Sequence, residues 1–186
     1  SADSFASKEE QYFLREYSEG IAILNNSISI YNKLNMQNKE LGESYNLLGV
    51  LHAAKGNHEN AILYAKEAVA VYLTLNMHKT RELGNAYHNL GLWHSKSGKN
   101  NNLQKYYYLK ALAIREKLYP DGHLALAHTL SNLGSVEMRL NNIQKAKIYK
   151  EKALEIRKKV LDDQHPEVLS TYIGIGKYYQ EIGDFR

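Results

Sequence analysis

The sequence predicts an all-α solenoid of antiparallel helix pairs. Three observations carry that expectation. A ladder of apolar-Gly pairs, Leu48-Gly49, Leu90-Gly91, Leu133-Gly134 and Ile175-Gly176, recurs with glycine spacings of 42, 43 and 42 residues. A large apolar residue stands three positions before each pair (Tyr45, Tyr87, Leu130, Tyr172), and a turn residue stands seven positions after it (Gly56, Gly98, Asn141, Gly183). Only two prolines, Pro120 and Pro166, occur in 186 residues, which suits long helices better than a turn-rich β architecture.

Each rung has a physical reason. The ladder glycine lets two helices approach closely, since a side chain there would wedge them apart. The second Gly or Asn falls where a helix end needs the left-handed conformation. The large apolar residues share one helical face at i, i+3 and i+7 spacing. Alanines recur on the following helix, Ala61 and Ala68, Ala111, then Ala146 and Ala153, and supply the other half of the close contact.

About nine helices follow in order. A degenerate first unit, residues 1–38, carries helices over 4–16 and 18–35, with Gly20 and Ser27 in the alanine places and no Leu-Gly pair. The unit 39–79 carries helices 39–55 and 58–76, and the unit 80–120 carries 80–97 and 102–119. That third unit has an extra turn residue within 98–102, which brings Leu103 or Gln104 to a position meant for alanine and predicts looser packing or a bulged turn. The unit 121–163 carries 122–140 and 143–162. The last, 164–186, starts with helix 166–182, where Pro166 suits a first turn because its missing N–H costs nothing. Another helix is expected after Gly183, so the chain reads as one domain cut from a longer protein.

These residues resemble the tetratricopeptide-repeat (TPR) motif: a large aromatic, Leu-Gly, a later turn Gly, then spaced small residues on the second helix. The period exceeds the usual 34 residues. The runs from Ala111 to Leu118 and from Ala153 to Val160, the latter followed by Asp163 to Val168, are similar to kinesin-light-chain repeats. The run from Glu82 to Gly91 is similar to the Leu-Gly-Asn class of scaffold repeats. The resemblance implies a right-handed superhelix whose first helices line a concave, peptide-binding groove.

That groove is expected to present the side chains the ladder leaves free. These are Asn46, Leu47 and Val50; then Asn85, His88, Asn89, Leu92 and Lys96; then His128, Ser131, Asn132, Ser135 and Arg139; and finally Ser170 and Lys177. Asn89 and Asn132 each precede a Leu-Gly pair. The resemblance implies that an asparagine there pairs with a bound peptide backbone, whose donor and acceptor an amide matches. Lys96, Arg139 and Lys177 lie one turn further on and suit a carboxylate, so an acidic partner is expected.

Other signals exclude more than they propose. The absence of cysteine removes disulfide and thiolate chemistry. No metal site, cofactor motif or nucleophile motif occurs, so no enzyme is expected. The first ten residues lack the basic and apolar regions of a signal peptide, and no apolar run reaches a membrane span, so a cytoplasmic address is expected. Trp93 reads as core. Of Tyr106, Tyr107 and Tyr108, one or two rings must face outward. Net charge is −2 over residues 1–93 and +6 over 94–186, with the excess on the helix 143–162. Nucleic-acid binding there is a weak reading, since that helix has no aromatic stacking platform. The leading function is a protein-interaction adaptor. The alternative is a regulatory module of a larger enzyme or signalling protein. The Asn-, Lys- and Tyr-rich composition hints at an AT-rich genome, hence a bacterial protein acting on host partners. The uncovered last helix is a surface through which copies could associate.

Overall fold

The computed structural model describes residues 2–98, 100–181 and 183, with side chains from Phe13 onward except at Lys99 and Glu181. Among the described residues there are eight α-helices and no strand: α1 (Ala2–Lys33), α2 (Lys39–Ala54), α3 (His58–Thr74), α4 (Arg81–Lys96), α5 (Asn101–Leu118), α6 (Leu124–Arg139), α7 (Ile143–Val160) and α8 (Pro166–Glu181). Each helix packs chiefly on its neighbours in the chain, while α2 also touches α4 and α6 touches α8. The helix expected after Gly183 lies outside the described residues. Among them, no helix is long and apolar enough to cross a membrane.

One difference concerns the first unit. The helices expected over 4–16 and 18–35 form a single α1. Nothing at the supposed junction breaks a helix: Arg15 pairs with Glu19 at 2.9 Å, and the Ser18 hydroxyl donates to the Leu14 carbonyl at 2.7 Å. Gly20 serves packing, because a Cβ there would stand 3.0 Å from a Leu51 methyl of α2.

The remaining boundaries follow local chemistry. Asn38, Thr80, Asn100 and His123 side chains each accept a backbone N–H at the start of α2, α4, α5 and α6. At four helix ends an N–H reaches back five residues, from Met36 to Tyr31, Asn57 to His52, Met77 to Tyr72 and Asn142 to Glu137. The residue before each donor is left-handed: Asn35, Gly56, Asn76 and Asn141.

The ladder behaves as a packing device. Leu48, Leu90 and Leu133 are buried, as are Ala61, Ala68, Ala111, Ala146 and Ala153. Each such leucine contributes about 2 kcal/mol by leaving water. A Cβ on Gly49 would meet the Trp93 ring at 3.0 Å, so Trp93 belongs to the core. One on Gly91 would meet the Tyr108 ring at 2.6 Å, and one on Gly134 would meet Lys150 Cγ at 2.8 Å. Tyr107 is half-buried and stacks on His94, whereas Tyr106 faces outward. The extra turn residue of the third unit is absorbed by a second left-handed position, Asn100, beside Gly98. The loose packing expected at Gln104 does not occur: Gln104 is buried and accepts a hydrogen bond from Arg139 Nη2 at 2.5 Å.

Candidate functional site: a polar face with a basic cleft

Helices α2, α4, α6 and α8 contribute a run of half-buried polar side chains. Asn89 Nδ2 donates to Asn46 Oδ1 at 3.2 Å, linking α4 to α2. One N–H and the Oδ1 of Asn89 remain available. Asn132, half-buried on α6, makes no side-chain hydrogen bond among the described residues. Leu47 and Val50 are exposed beside Asn46.

Asn85 and His88 belong to a different arrangement. Both are bound by Arg115 of α5, whose guanidinium is buried. Its Nη2 donates to Asn85 Oδ1 at 2.8 Å; its Nη1 donates to the Ala125 carbonyl at 2.7 Å and to Thr129 Oγ1, and lies 3.0 Å from His88 Nδ1. Burial, then the charges of Arg115 and His128, push His88 down to about 3, so its ring is neutral. The same joint recurs one repeat later with a carboxylate added. Arg157 Nε meets Glu167 Oε2 at 3.1 Å, and its Nη1 reaches Thr171. His128 Nε2 lies 2.7 Å from the same Glu167 oxygen. Burial would raise Glu167, yet it sits below its ordinary value because His128 and Arg157 favour the carboxylate. Asn85, His88 and His128 thus have structural partners, and less of each is free than the sequence suggests.

A third group forms a cleft of about 530 Å³ between α6, α7 and α8, lined by Ser135, Arg139, Lys150, Ser170, Gly174 and Lys177 among others. Four expected groove residues meet here: Ser135, Arg139, Ser170 and Lys177. Lys96 stands exposed and takes no part in the cleft. Arg139 is exposed but anchored, its Nε donating to Asn101 Oδ1 at 3.0 Å.

Lys150 was legible in the sequence only as one of the solvated charges on α7. It is instead 8 % exposed. Its Nζ donates to Ser135 Oγ at 2.7 Å and lies 3.4 Å from Ser131 Oγ. Burial, then the charges of Arg157, Arg139 and Lys177, push it down to about 8. Arg157 is likewise buried, so two of the seven cations on that helix lie off its solvated face. A sequence signal existed for both. Ala146, Lys150, Ala153 and Arg157 follow one another at helical spacing on a single stripe, and the stripe's alanines are fully buried.

The Lys150 environment predicts a pH dependence. The folded value near 8 lies below the ordinary 10.5. Between the two, only the unfolded chain holds the proton, so stability rises as pH climbs from 8 to 10.5, by on the order of 3 kcal/mol. Chemical denaturation across that window checks it, and Lys150→Met should flatten the rise.

One tetratricopeptide-repeat family model matches residues 82–159 and 126–186, and another matches 42–74. Among curated proteins there is no significant match. BtubC (BKLC) from P. vanneervenii superposes with a TM-score of 0.82 at 21% identity, over 91% of this chain and 68% of that one. A putative kinesin light chain from Podosopora anserina with nearly identical TPR-like repeats gives 0.76 at 18% identity, over 98% and 85%. The apo form of RapI gives 0.76 at 14% identity, over 98% of this chain and 54% of RapI, so the chain spans about half of RapI. At these identities the likeness is one of fold.

Proposed function

The chain belongs to the tetratricopeptide-repeat family, and from that premise we propose that it is an adaptor holding an extended, acidic segment of a partner protein along the face of α2, α4, α6 and α8. Family membership supports a protein-interaction scaffold in general. The feature that supports this location is the row of incompletely bonded amides, Asn89 and Asn132, each one residue before a ladder Leu-Gly pair. An extended segment presents alternating N–H and C=O groups, and a side-chain amide can donate to one and accept from the other. Arg139 and Lys177 further along favour carboxylates on the segment, and no step here calls for catalysis.

The test is a random-peptide selection on the protein, followed by affinity measurements with the double variant Asn89→Ala, Asn132→Ala. Each lost hydrogen bond is worth about 1 kcal/mol, so the pair should weaken selected peptides about 30-fold at an unchanged melting temperature. A variant that loses stability yet binds as before would sink the assignment.

A further inference from the structure

We propose that the cleft between α6, α7 and α8 binds a phosphoryl group, with Lys150 Nζ at its floor and the Arg139 and Lys177 side chains at its rim. The proposal rests on the groove reading for the source of that group, a phosphorylated side chain of the held segment. The anion chemistry itself stands apart from it.

Lys150 is the anomaly that calls for a ligand. Glu137 and Arg157 are matched by opposite charge, and Arg115 has its donors met by several neutral acceptors. Glu137 has Lys105 at 2.8 Å and Asn142 at 2.7 Å, and Arg157 has Glu167. Lys150 has two serine hydroxyls, no carboxylate within ion-pair distance among the described residues, and three cations as electrostatic neighbours: Arg157 on its own helix, Arg139 on α6 and Lys177 on α8. A buried ammonium without a counter-charge is costly. The fold does not demand it, because the equivalent places on α3 and α5, Ala65 and Tyr108, are uncharged and equally buried.

Gly174 supplies a second, independent observation. It lies inside α8, where glycine costs about 1 kcal/mol relative to alanine. It is not the ladder glycine, which is Gly176. A Cβ on Gly174 would stand 3.3 Å from Lys150 Nζ, so any side chain would cover the ammonium. Its absence leaves Nζ facing the cleft.

Charge selects the ligand. Three cations around one cleft exceed what a single carboxylate neutralises, whereas a phosphoryl group carries about −1.5 to −2 and three acceptor oxygens. Arg139 can engage it through a fork of donors, Lys150 and Lys177 as point charges. Carboxylates on these helices have other partners: Glu137 is held by Lys105 and Asn142, Glu151 by Lys147, and Glu167 by Arg157 and His128.

The experiment is an NMR titration at low, matched ionic strength, following the backbone amides of Ser131, Ser135 and Gly174. The probes are inorganic phosphate, phenyl phosphate and acetate, then one selected peptide with and without a phosphoserine. Phosphate and phenyl phosphate should give saturable shifts, with acetate about tenfold weaker. Lys150→Met keeps hydrocarbon against Gly134 and should weaken phosphate about tenfold or more while the melting temperature holds or rises. Gly174→Ala should weaken it while stabilising α8. Phosphoserine should tighten the peptide, and Lys150→Met should abolish that gain. No saturable shift, equal binding of acetate, or an unchanged affinity in Lys150→Met would each overturn the proposal. Saturable phosphate binding together with peptide affinities indifferent to Asn89 and Asn132 would support the site and retire the groove reading.

Discussion

Gly91→Ala is expected to destabilise the protein by about 3 kcal/mol, whereas Gly176→Ala should leave stability unchanged or raise it by up to about 1 kcal/mol. Both glycines occupy the same rung of the ladder. At Gly91 the added methyl would overlap the Tyr108 ring, with three ring atoms between 2.6 and 2.9 Å. Tyr108 cannot withdraw: it is 2 % exposed and packed among Leu112, Leu130 and their neighbours. The helices α4 and α5 must therefore separate, and the contact is lost along their length. At Gly176 no described atom lies within 4 Å of the new methyl, so only the helix-propensity gain remains. Urea denaturation of the two variants decides the matter. Equal losses at both positions would mean that the glycines serve the backbone rather than close packing.

Arg115→Ala should cost about 3 kcal/mol, because each buried acceptor left without its donor costs about 1–3 kcal/mol. Arg115→Lys should recover only part of the loss, since one ammonium cannot serve Asn85 on one side and Ala125 and Thr129 on the other. A second readout separates the charge from the hydrogen bonds. His88 sits at about 3 through burial first and the Arg115 and His128 charges next. Without the guanidinium its ring should titrate closer to the ordinary 6.5, visible in a proton NMR titration. In the native protein the unfolded chain takes up this proton below about 6.5 and the folded one does not until about 3. Stability therefore falls as pH drops through that window, by about 1.4 kcal/mol per pH unit for this group. A His88 that still resists protonation in Arg115→Ala would leave burial and the His128 charge responsible.

The fold was readable because the repeat converts packing into spacing. From α2 onward, every helix begins and ends within two residues of its expected bounds. The turn residues that set those bounds, Gly56, Gly98 and Asn141, act locally through backbone conformation. The merger of 4–16 with 18–35 was not readable, because Gly20 and Ser18 are weak breakers whose effect depends on what α2 brings against them. The groove residues were harder. Composition marks Asn89, Asn132 and Lys177 as polar on a first helix, and nothing local distinguishes them from Asn85 and His88, which a buried arginine of the next helix engages. Lys150 was obscured by its company: Lys145, Lys147 and Lys152 around it made a solvated face the simplest reading. The alanine stripe on which it lies was the better guide.

The packing order noted earlier, each helix resting chiefly on its neighbours in the chain, has a mechanical consequence. Among the described residues no strut crosses from one end of the array to the other, so its curvature is the sum of small angles at successive joints. Two of those joints are unlike in stiffness: the one through Arg157 is pinned by Glu167, while the one through Arg115 is held by neutral acceptors alone. A segment lying from Asn46 to Lys177 spans both. Binding it would load the array like a spring of unequal coils, with the bend concentrated between α5 and α6.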